Sequence, residues 1–147
     1  MSYVSTPCTR AADVPAAIQR PEAVIAALPE AFLASRQEEV WLITVDAGLR
    51  PIGTYMVSRG GRASCPVDRA VIARHAILDL AAGVFLVHNH PSGDPTPSAL
   101  DRKVTSAVKD GLALFDIELF DHLVVTADGL WASAASFNRS PSRRRAA

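Results

Sequence analysis

Runs of apolar residues separated by turn-forming residues predict the strands of this chain. Residues 40–45 are almost entirely apolar, so we predict a buried strand there rather than one with a solvent-facing side. A turn over 46–48 leads into a second strand over 51–57, and the two strands should form a hairpin. Residues 84–87 predict a central strand that continues directly into His88.

Apolar residues at helical spacing predict two longer helices. Pro66 suits a first helical turn and opens a helix over 66–80, which Gly83 ends. Ser98 is a good N-cap for the second helix, because its side chain can accept a hydrogen bond from a free backbone N–H. The predicted buried stripes are Val67, Ala70, Val71, Ile77 and Leu78 in the first helix, and Leu100, Val104, Ala107, Val108 and Gly111 in the second.

The order of these elements predicts an α/β fold with a mixed sheet flanked by helices. Further strands are expected over 117–126 and 130–132, with a short extra strand over 63–65. The two ends of the chain lack such patterns. We therefore expect an N-terminal arm with short helices over 1–36, a main domain over 37–137 and a disordered basic tail over 138–147.

Composition narrows the class of protein. Hydrophobic residues make up 49% and charged residues 20% of the 147 residues, which is typical of a globular domain. The 15 basic residues balance the 15 acidic ones, so no overall field favours nucleic acid or an anionic membrane. There are only two cysteines, no apolar run long enough to cross a bilayer and no signal-peptide pattern. We expect a cytoplasmic protein without a membrane partner.

The stretch from His88 to Asp101 carries the pattern of a metal site. In extended backbone, residues two apart point the same way, so His88 and His90 should present two imidazoles on one side. A proline-rich loop then reverses the chain, and the helix that starts at Ser98 has Asp101 in its first turn. Two histidines, one aspartate and an open position form a ligand set expected of catalytic zinc.

Each part of this pattern has an ordinary structural interpretation. A pair of histidines two apart is often a loop or core feature, and an aspartate three residues after Ser98 suits a capping box at a helix start. The occurrence of all the parts together favours the metal site. Zinc is preferred over iron because the motif supplies no other donor.

A metal-dependent hydrolase also needs a carboxylate that accepts a proton from water. The candidates are Glu38 and Glu39, immediately before the buried strand, and strand alternation places them on opposite faces, so only one can serve. Ser98 has a second candidate role, because its hydroxyl could donate to the oxyanion of a tetrahedral intermediate.

These residues resemble the JAMM (JAB1/MPN) metalloprotease motif, in which a distant glutamate is followed by H-x-H-x7-S-x2-D. His88, His90, Ser98 and Asp101 match every position of that spacing. The longer string HNHPSGDPTPSALD is similar to the RadC branch of this superfamily, and the similarity extends over about 37–137.

The resemblance implies a JAB/MPN fold, which is cytidine-deaminase-like, and zinc held by His88, His90 and Asp101. It implies hydrolysis of an amide or isopeptide bond in a peptide or protein substrate by water on the zinc. Glu38 would move the proton and Ser98 would stabilise the oxyanion. The RadC pattern favours Glu38 over Glu39, because Glu38 lies two residues before the apolar strand residue Val40.

An alternative function is a metal-stabilised module that binds DNA or protein without turnover, suggested by the RadC resemblance and the basic tail. RadC proteins carry an N-terminal helix-hairpin-helix region, and we expect none in the residues before the main domain, so a nucleic-acid partner stays open. A nucleobase deaminase is disfavoured because the sequence lacks that family's H-x-E and P-C-x-x-C motifs. The oligomeric state is not indicated. For His122, a backbone-bonded structural role is preferred over one that orients a zinc ligand.

Overall fold

The predicted mixed sheet forms the centre of the fold in a computed structural model that describes residues 16–60 and 67–136. The chain order is α1 (Pro21–Ala26), a short 3₁₀ turn (Glu30–Phe32), β1 (Glu39–Val45), β2 (Pro51–Arg59), α2 (Arg69–Leu78), β3 (Gly83–Asn89), α3 (Ala99–Ala113), β4 (Glu118–Val125) and β5 (Trp131–Ser133). The strand order across the sheet is β2-β1-β3-β4-β5. This α/β architecture confirms the predicted fold class.

The strand directions bring three segments to one edge of the sheet. β1 is antiparallel to β2 and β3, whereas β3 and β4 are parallel and are joined by α3. Val40, at the start of β1, pairs with His88, near the end of β3. The start of β1, the end of β3 and the start of α3 therefore meet at the same edge.

Two hydrophobic cores lie on opposite faces of the sheet, which explains why its central strands are apolar throughout. Alternate residues of β3 belong to different cores. Val84 and Leu86 pack against α2 and α3, on what we call the α2/α3 face, whereas Phe85 and Val87 pack on the α1 face. The same alternation continues past the apolar run and decides which side each residue of the candidate site faces.

The N-terminal part of the described chain contributes to the core on the α1 face. Ile18, Val24 and Phe32 are buried there, and the backbone N–H of Ile18 donates to the carbonyl of Leu49. The short helices predicted before residue 36 are present. The domain boundary at residue 37 stays a prediction. Residues 1–15 of the predicted arm, the predicted strand over 63–65 and the predicted basic tail over 138–147 lie outside the described residues.

The first long helix differs from its prediction at both ends. It begins at Arg69, and the side chain of Asp68 caps it by accepting from the N–H of Ala70 at 2.9 Å. It ends at Leu78, before Gly83. Gly83 instead starts β3, where a Cβ atom would lie 2.1 Å from the Phe120 ring, so close packing rather than helix termination requires this glycine.

The predicted buried stripe of α2 is also wrong. Ile72 and Ala76 are buried, whereas Ile77 and Leu78 are 43% and 65% exposed. Apolar residues surround this short helix on most sides, so periodicity alone could not select the face that packs on the sheet. Among the described residues, no helix combines the length and the apolar content that crossing a membrane requires.

Candidate metal centre

Two imidazoles lie side by side where β3 ends. His88 is the sixth residue of β3, follows Leu86 on the α2/α3 face and is 4% exposed. The ring of His90 lies 4.7 Å from that of His88, centroid to centroid, at an interplanar angle of 83°. The Nδ1 atom of His90 contacts the carbonyl oxygen of Asp94 at 2.8 Å, which leaves its Nε2 atom directed at the site.

Asp101 joins both histidines from the start of α3. Its Oδ1 atom lies 3.3 Å from Nδ1 of His88, and its Oδ2 atom lies 3.4 Å from Nε2 of His90. A capping box orients this carboxylate, because Asp101 accepts from the backbone N–H of Ser98 at 2.7 Å and the Ser98 hydroxyl accepts from the N–H of Asp101 at 3.0 Å. The same Asp101 carboxylate therefore caps the start of α3 and contacts both histidines.

The inward face of α3 is rotated from the predicted stripe because its first turns face this site. Asp101 and Thr105 are buried, together with Val108 and Leu112, while Leu100 is 54% exposed. The sequence prediction placed only apolar residues inward. Burial of polar residues next to the two histidines is the structural reason for the difference.

Glu38 lies on the same side as the histidines, as alternation requires. Its Oε2 atom is 3.8 Å from Nε2 of His88, and its side chain is 28% exposed. Glu38, His88 and His90 each offer a ligand atom within 4.8 Å of the other two, so these residues form a group that could hold a metal ion. The structure thus brings two carboxylates, Glu38 and Asp101, to the same pair of imidazoles.

Glu39 faces the opposite side and is fully engaged there. Its carboxylate accepts from Arg59 at 2.7 Å, from Nε1 of Trp41 at 2.9 Å and from the Ser35 hydroxyl at 2.9 Å. Burial by itself would raise the pKa of Glu39, but the hydrogen bonds from Trp41, Arg59 and Ser35 lower that pKa below its usual value. Of the two glutamates considered from sequence, Glu38 is the one at the cavity.

The charge states of the ligand candidates follow from their surroundings. Burial opposes ionisation of Asp101, yet hydrogen bonds from His90 and the Ser98 backbone hold the pKa of this carboxyl well below its usual range. Burial lowers the pKa of His88, and the hydrogen bond with Asp101 raises the pKa of His90. An ionised carboxylate and a neutral buried imidazole are the forms that bind a divalent cation.

The donor set fits a metal ion. In the described part of the chain, two buried side-chain atoms lack a hydrogen-bond partner, Nε2 of His88 and Nε2 of His122. A buried nitrogen without a partner is costly unless another group satisfies it. Two imidazoles with nearby carboxylates are also the donors that zinc and related divalent metals prefer.

His122, on β4, forms the floor of the site. Its ring lies 5.9 Å from that of His88, and burial, with the neighbouring His88, lowers its pKa to about 3. The Thr105 hydroxyl donates to the carbonyl of Asp101 at 2.7 Å, so its 2.7 Å contact with Nδ1 of His122 requires the imidazole to donate. Neither interpretation of His122 from sequence included this threonine.

A cavity of about 230 Å³ opens at this centre. Its polar lining includes Ser92 and Ser98 beside the metal-site candidates. Its apolar lining consists of Val40, Val67, Leu100 and Val104. The site therefore offers both charged groups and a surface for an apolar part of a ligand.

Comparisons with known proteins identify the family of this chain. A family model described as "RadC-like JAB domain" matches residues 18–140. The UPF0758 protein of Clostridium perfringens is 37% identical over 108 residues, which cover 74% of this chain and 48% of that protein. A UPF0758 protein of Porphyromonas gingivalis is 35% identical over 99 residues, covering 67% of this chain and 44% of that protein.

A third relative, a UPF0758 protein of Burkholderia cenocepacia, is 40% identical over 94 residues, which cover 63% of this chain and 37% of that protein. The chain spans less than half the length of these relatives. The family match includes α1 and the core residues before β1 as well as the sheet and the metal-site candidates. The chain belongs to the RadC-like JAB domain family.

Proposed function

We propose that this protein is a zinc-dependent hydrolase of the JAMM type that cleaves an amide or isopeptide bond in a peptide or protein. One observation carries the proposal. His88, His90, Asp101 and Glu38 converge on one cavity, although they come from three separate segments of the chain. Convergence of this kind is expected of a catalytic metal site.

In this proposal His88, His90 and Asp101 hold the metal ion. Asp101 supports this assignment because it lies 3.3 Å and 3.4 Å from nitrogens of the two imidazoles and its side chain is 11% exposed, whereas Glu38 lies 3.8 Å from His88 and is 28% exposed. When bound, zinc supplies a Lewis acid that lowers the pKa of a water molecule and polarises a carbonyl group. With these three residues as ligands, Glu38 is left for proton transfer.

Glu38 acts as the general base and then as the general acid. Its carboxylate accepts a proton from the water that attacks the scissile carbonyl carbon, and it returns that proton to the amide nitrogen as the C–N bond breaks. The products are a carboxylic acid and an amine, so water is the only co-reactant. The partial exposure of Glu38, which lines the cavity, suits a group that must reach a substrate.

Ser98 donates a hydrogen bond to the oxyanion. Its oxygen already accepts from the N–H of Asp101, so the hydroxyl proton remains available for donation into the cavity that Ser98 lines. A hydrogen-bond donor directed at the developing oxyanion lowers the activation free energy by about 2.7–4 kcal/mol in well-studied hydrolases. One side chain thus both caps α3 and faces the reacting carbonyl.

The proposal is tested by metal analysis together with hydrolysis assays. Purified protein should contain about one zinc per chain. It should cleave members of a library of internally quenched linear peptides or of peptides branched through a lysine isopeptide bond, and a chelator should abolish the cleavage. Protein that hydrolyses these probes equally well after complete metal removal would contradict the proposal.

A further inference from the structure

We propose that Asn89 is a positioning residue that holds Glu38 at the metal site. The inference rests on the proposed function, because it assigns Asn89 a role through the general base. Asn89 lies between the two histidines in sequence but faces the α1 side of the sheet, and it is 2% exposed. It therefore does not line the cavity and must act through another residue.

The carboxamide of Asn89 bonds to the backbone on both sides of Glu38. Its Oδ1 atom accepts from the N–H of Glu39 at 2.7 Å, and its Nδ2 atom donates to the carbonyl of Gln37 at 2.9 Å. A backbone N–H can only donate and a carbonyl can only accept, so the partners define the orientation of the amide. The Asn89 carboxamide thus accepts one backbone hydrogen bond and donates another, as a peptide group of a neighbouring strand would.

These two bonds lie where the backbone pairing of β1 with β3 ends. The last paired residues at this edge are Val40 and His88, one residue short of Glu39 and Asn89. Among the described residues, the side-chain hydrogen bonds between β3 and the segment before Val40 come from this carboxamide. The Gly60 N–H also donates to the carbonyl of Glu38 at 2.9 Å, which ties the same segment to the end of β2.

Asn89 therefore links the position of Glu38, the proposed general base, to that of the histidine ligands. His88 and Asn89 are consecutive residues of one rigid strand, so any group bound to Asn89 has a defined position relative to the imidazoles. The 3.8 Å separation between Glu38 and His88 is then set by a bond on the other face of the sheet. Groups that orient a catalytic centre in this way typically contribute about tenfold to a hundredfold to activity.

The test uses Asn89→Ala and the near-isosteric Asn89→Leu, with Glu38→Gln as reference. Thr44→Val is the matched control, because Thr44 is also buried and also hydrogen-bonded to groups outside its own strand, to Asp79 and Gly53, at the far end of β1. Each protein is loaded with Co²⁺, and the midpoint of the pH dependence of its visible spectrum is measured. This readout does not depend on finding a substrate.

We expect all variants to bind one Co²⁺ and Glu38→Gln to shift the spectral midpoint. Asn89→Ala and Asn89→Leu should shift the midpoint in the same direction by at least about half as much. In these variants the Glu38 carboxylate remains, but the hydrogen bonds that hold the backbone on both sides of Glu38 are lost. The double variant Glu38→Gln with Asn89→Ala should match Glu38→Gln alone, because the two changes act through one group. Thr44→Val should keep the wild-type midpoint.

With a cleavable probe, the Asn89 variants should lose about tenfold to a hundredfold in kcat with KM nearly unchanged. Wild-type midpoints in both Asn89 variants, alongside a shifted Glu38→Gln, would overturn the inference and leave the proposed function intact. Failure of both Asn89 variants to fold would make Asn89 a structural residue and also overturn it. Failure of the wild-type protein to bind Co²⁺ or Zn²⁺ would overturn both proposals.

Discussion

At the metal-site edge of the sheet, neighbouring residues have different surroundings on the two faces. On the α2/α3 face, Glu38 and His88 border a cavity, and Nε2 of His88 has no hydrogen-bond partner among the described residues. On the α1 face, the next residues along, Glu39 and Asn89, are buried and hydrogen-bonded at both ends of their polar groups. Under the two proposals, the α2/α3 face carries the reactive groups and is called the reactive face, whereas the α1 face holds those groups in place and is called the supporting face.

This difference shows how a small domain can hold unsatisfied polar atoms at a site. A buried nitrogen or carboxylate without a partner costs stability, so it persists only where the surrounding structure is rigid. Here the rigidity comes from consecutive residues of the same strands, which alternate between the reactive and the supporting face.

The largest effect is expected from removing a ligand on the reactive face. His88→Ala should lose zinc from about one per chain to nearly none, with hydrolysis falling by at least about a thousandfold. Metal content by atomic spectroscopy checks this directly. Mutation of the half-buried His75, on α2, to alanine is the matched control and should leave the metal content unchanged, because the His75 ring stacks on Tyr55 and does not line the cavity. Equal loss in both variants would contradict the assignment.

The second effect separates the two carboxylates of the reactive face. Glu38→Gln should keep zinc and lose about 10²–10⁴-fold in kcat, because general acid–base catalysis contributes that much. Asp101→Asn should instead lose zinc. If Glu38→Gln released the metal while Asp101→Asn retained it, Glu38 would be the third ligand, as its proximity to both histidines allows.

A stability effect is expected on the supporting face. Glu39→Gln should destabilise the fold by about 1–3 kcal/mol at pH 7 while zinc is retained, because a buried, hydrogen-bonded carboxylate is replaced. The pKa of Glu39 is lower in the folded protein than its usual value of 4.5. Its stabilising contribution is therefore complete above pH 4.5 and is lost as the pH falls through the folded pKa.

Urea unfolding of wild-type protein and Glu39→Gln over this pH range measures that contribution. The gap in the free energy of unfolding between the two proteins should be widest near neutral pH and should narrow in acid. A gap that stays constant with pH would show that the charge of Glu39 contributes nothing.

The smallest effect on stability is expected from the hydrogen bond between Thr105 and His122, at the floor of the site. Thr105→Val removes the acceptor for the Nδ1–H of His122 and should destabilise the fold by about 1 kcal/mol. Thr105→Ser restores the hydroxyl and should recover most of that stability. Thermal unfolding of the wild-type protein and the two variants compares them, and a Thr105→Val protein as stable as the wild type would mean that this hydrogen bond contributes nothing.

Local spacing explains what could be predicted from sequence. His88, His90, Ser98 and Asp101 lie within one continuous stretch, so strand alternation and helix capping were enough to bring them together. The central strands were equally clear because they are apolar on both faces. The buried face of α2 was not, since that helix is apolar on most sides and the sheet decides how it packs.

Long-range pairing explains what could not be predicted. Alternation showed that Glu38 and Glu39 face opposite ways, but the register of Val40 with His88 determines which of them meets the histidines. The contacts of Asn89 join residues about fifty positions apart, and Thr105 meets His122 from another element. Neither contact leaves a signal in a single sequence.

The most direct test of the account is a crystal structure of zinc-loaded protein with anomalous data at the zinc edge. We predict a single zinc peak bonded to His88, His90 and Asp101 at about 2.0–2.2 Å, with Glu38 close by but not coordinated. A zinc ion bound elsewhere, or these three side chains too far apart to share one, would contradict the central claim.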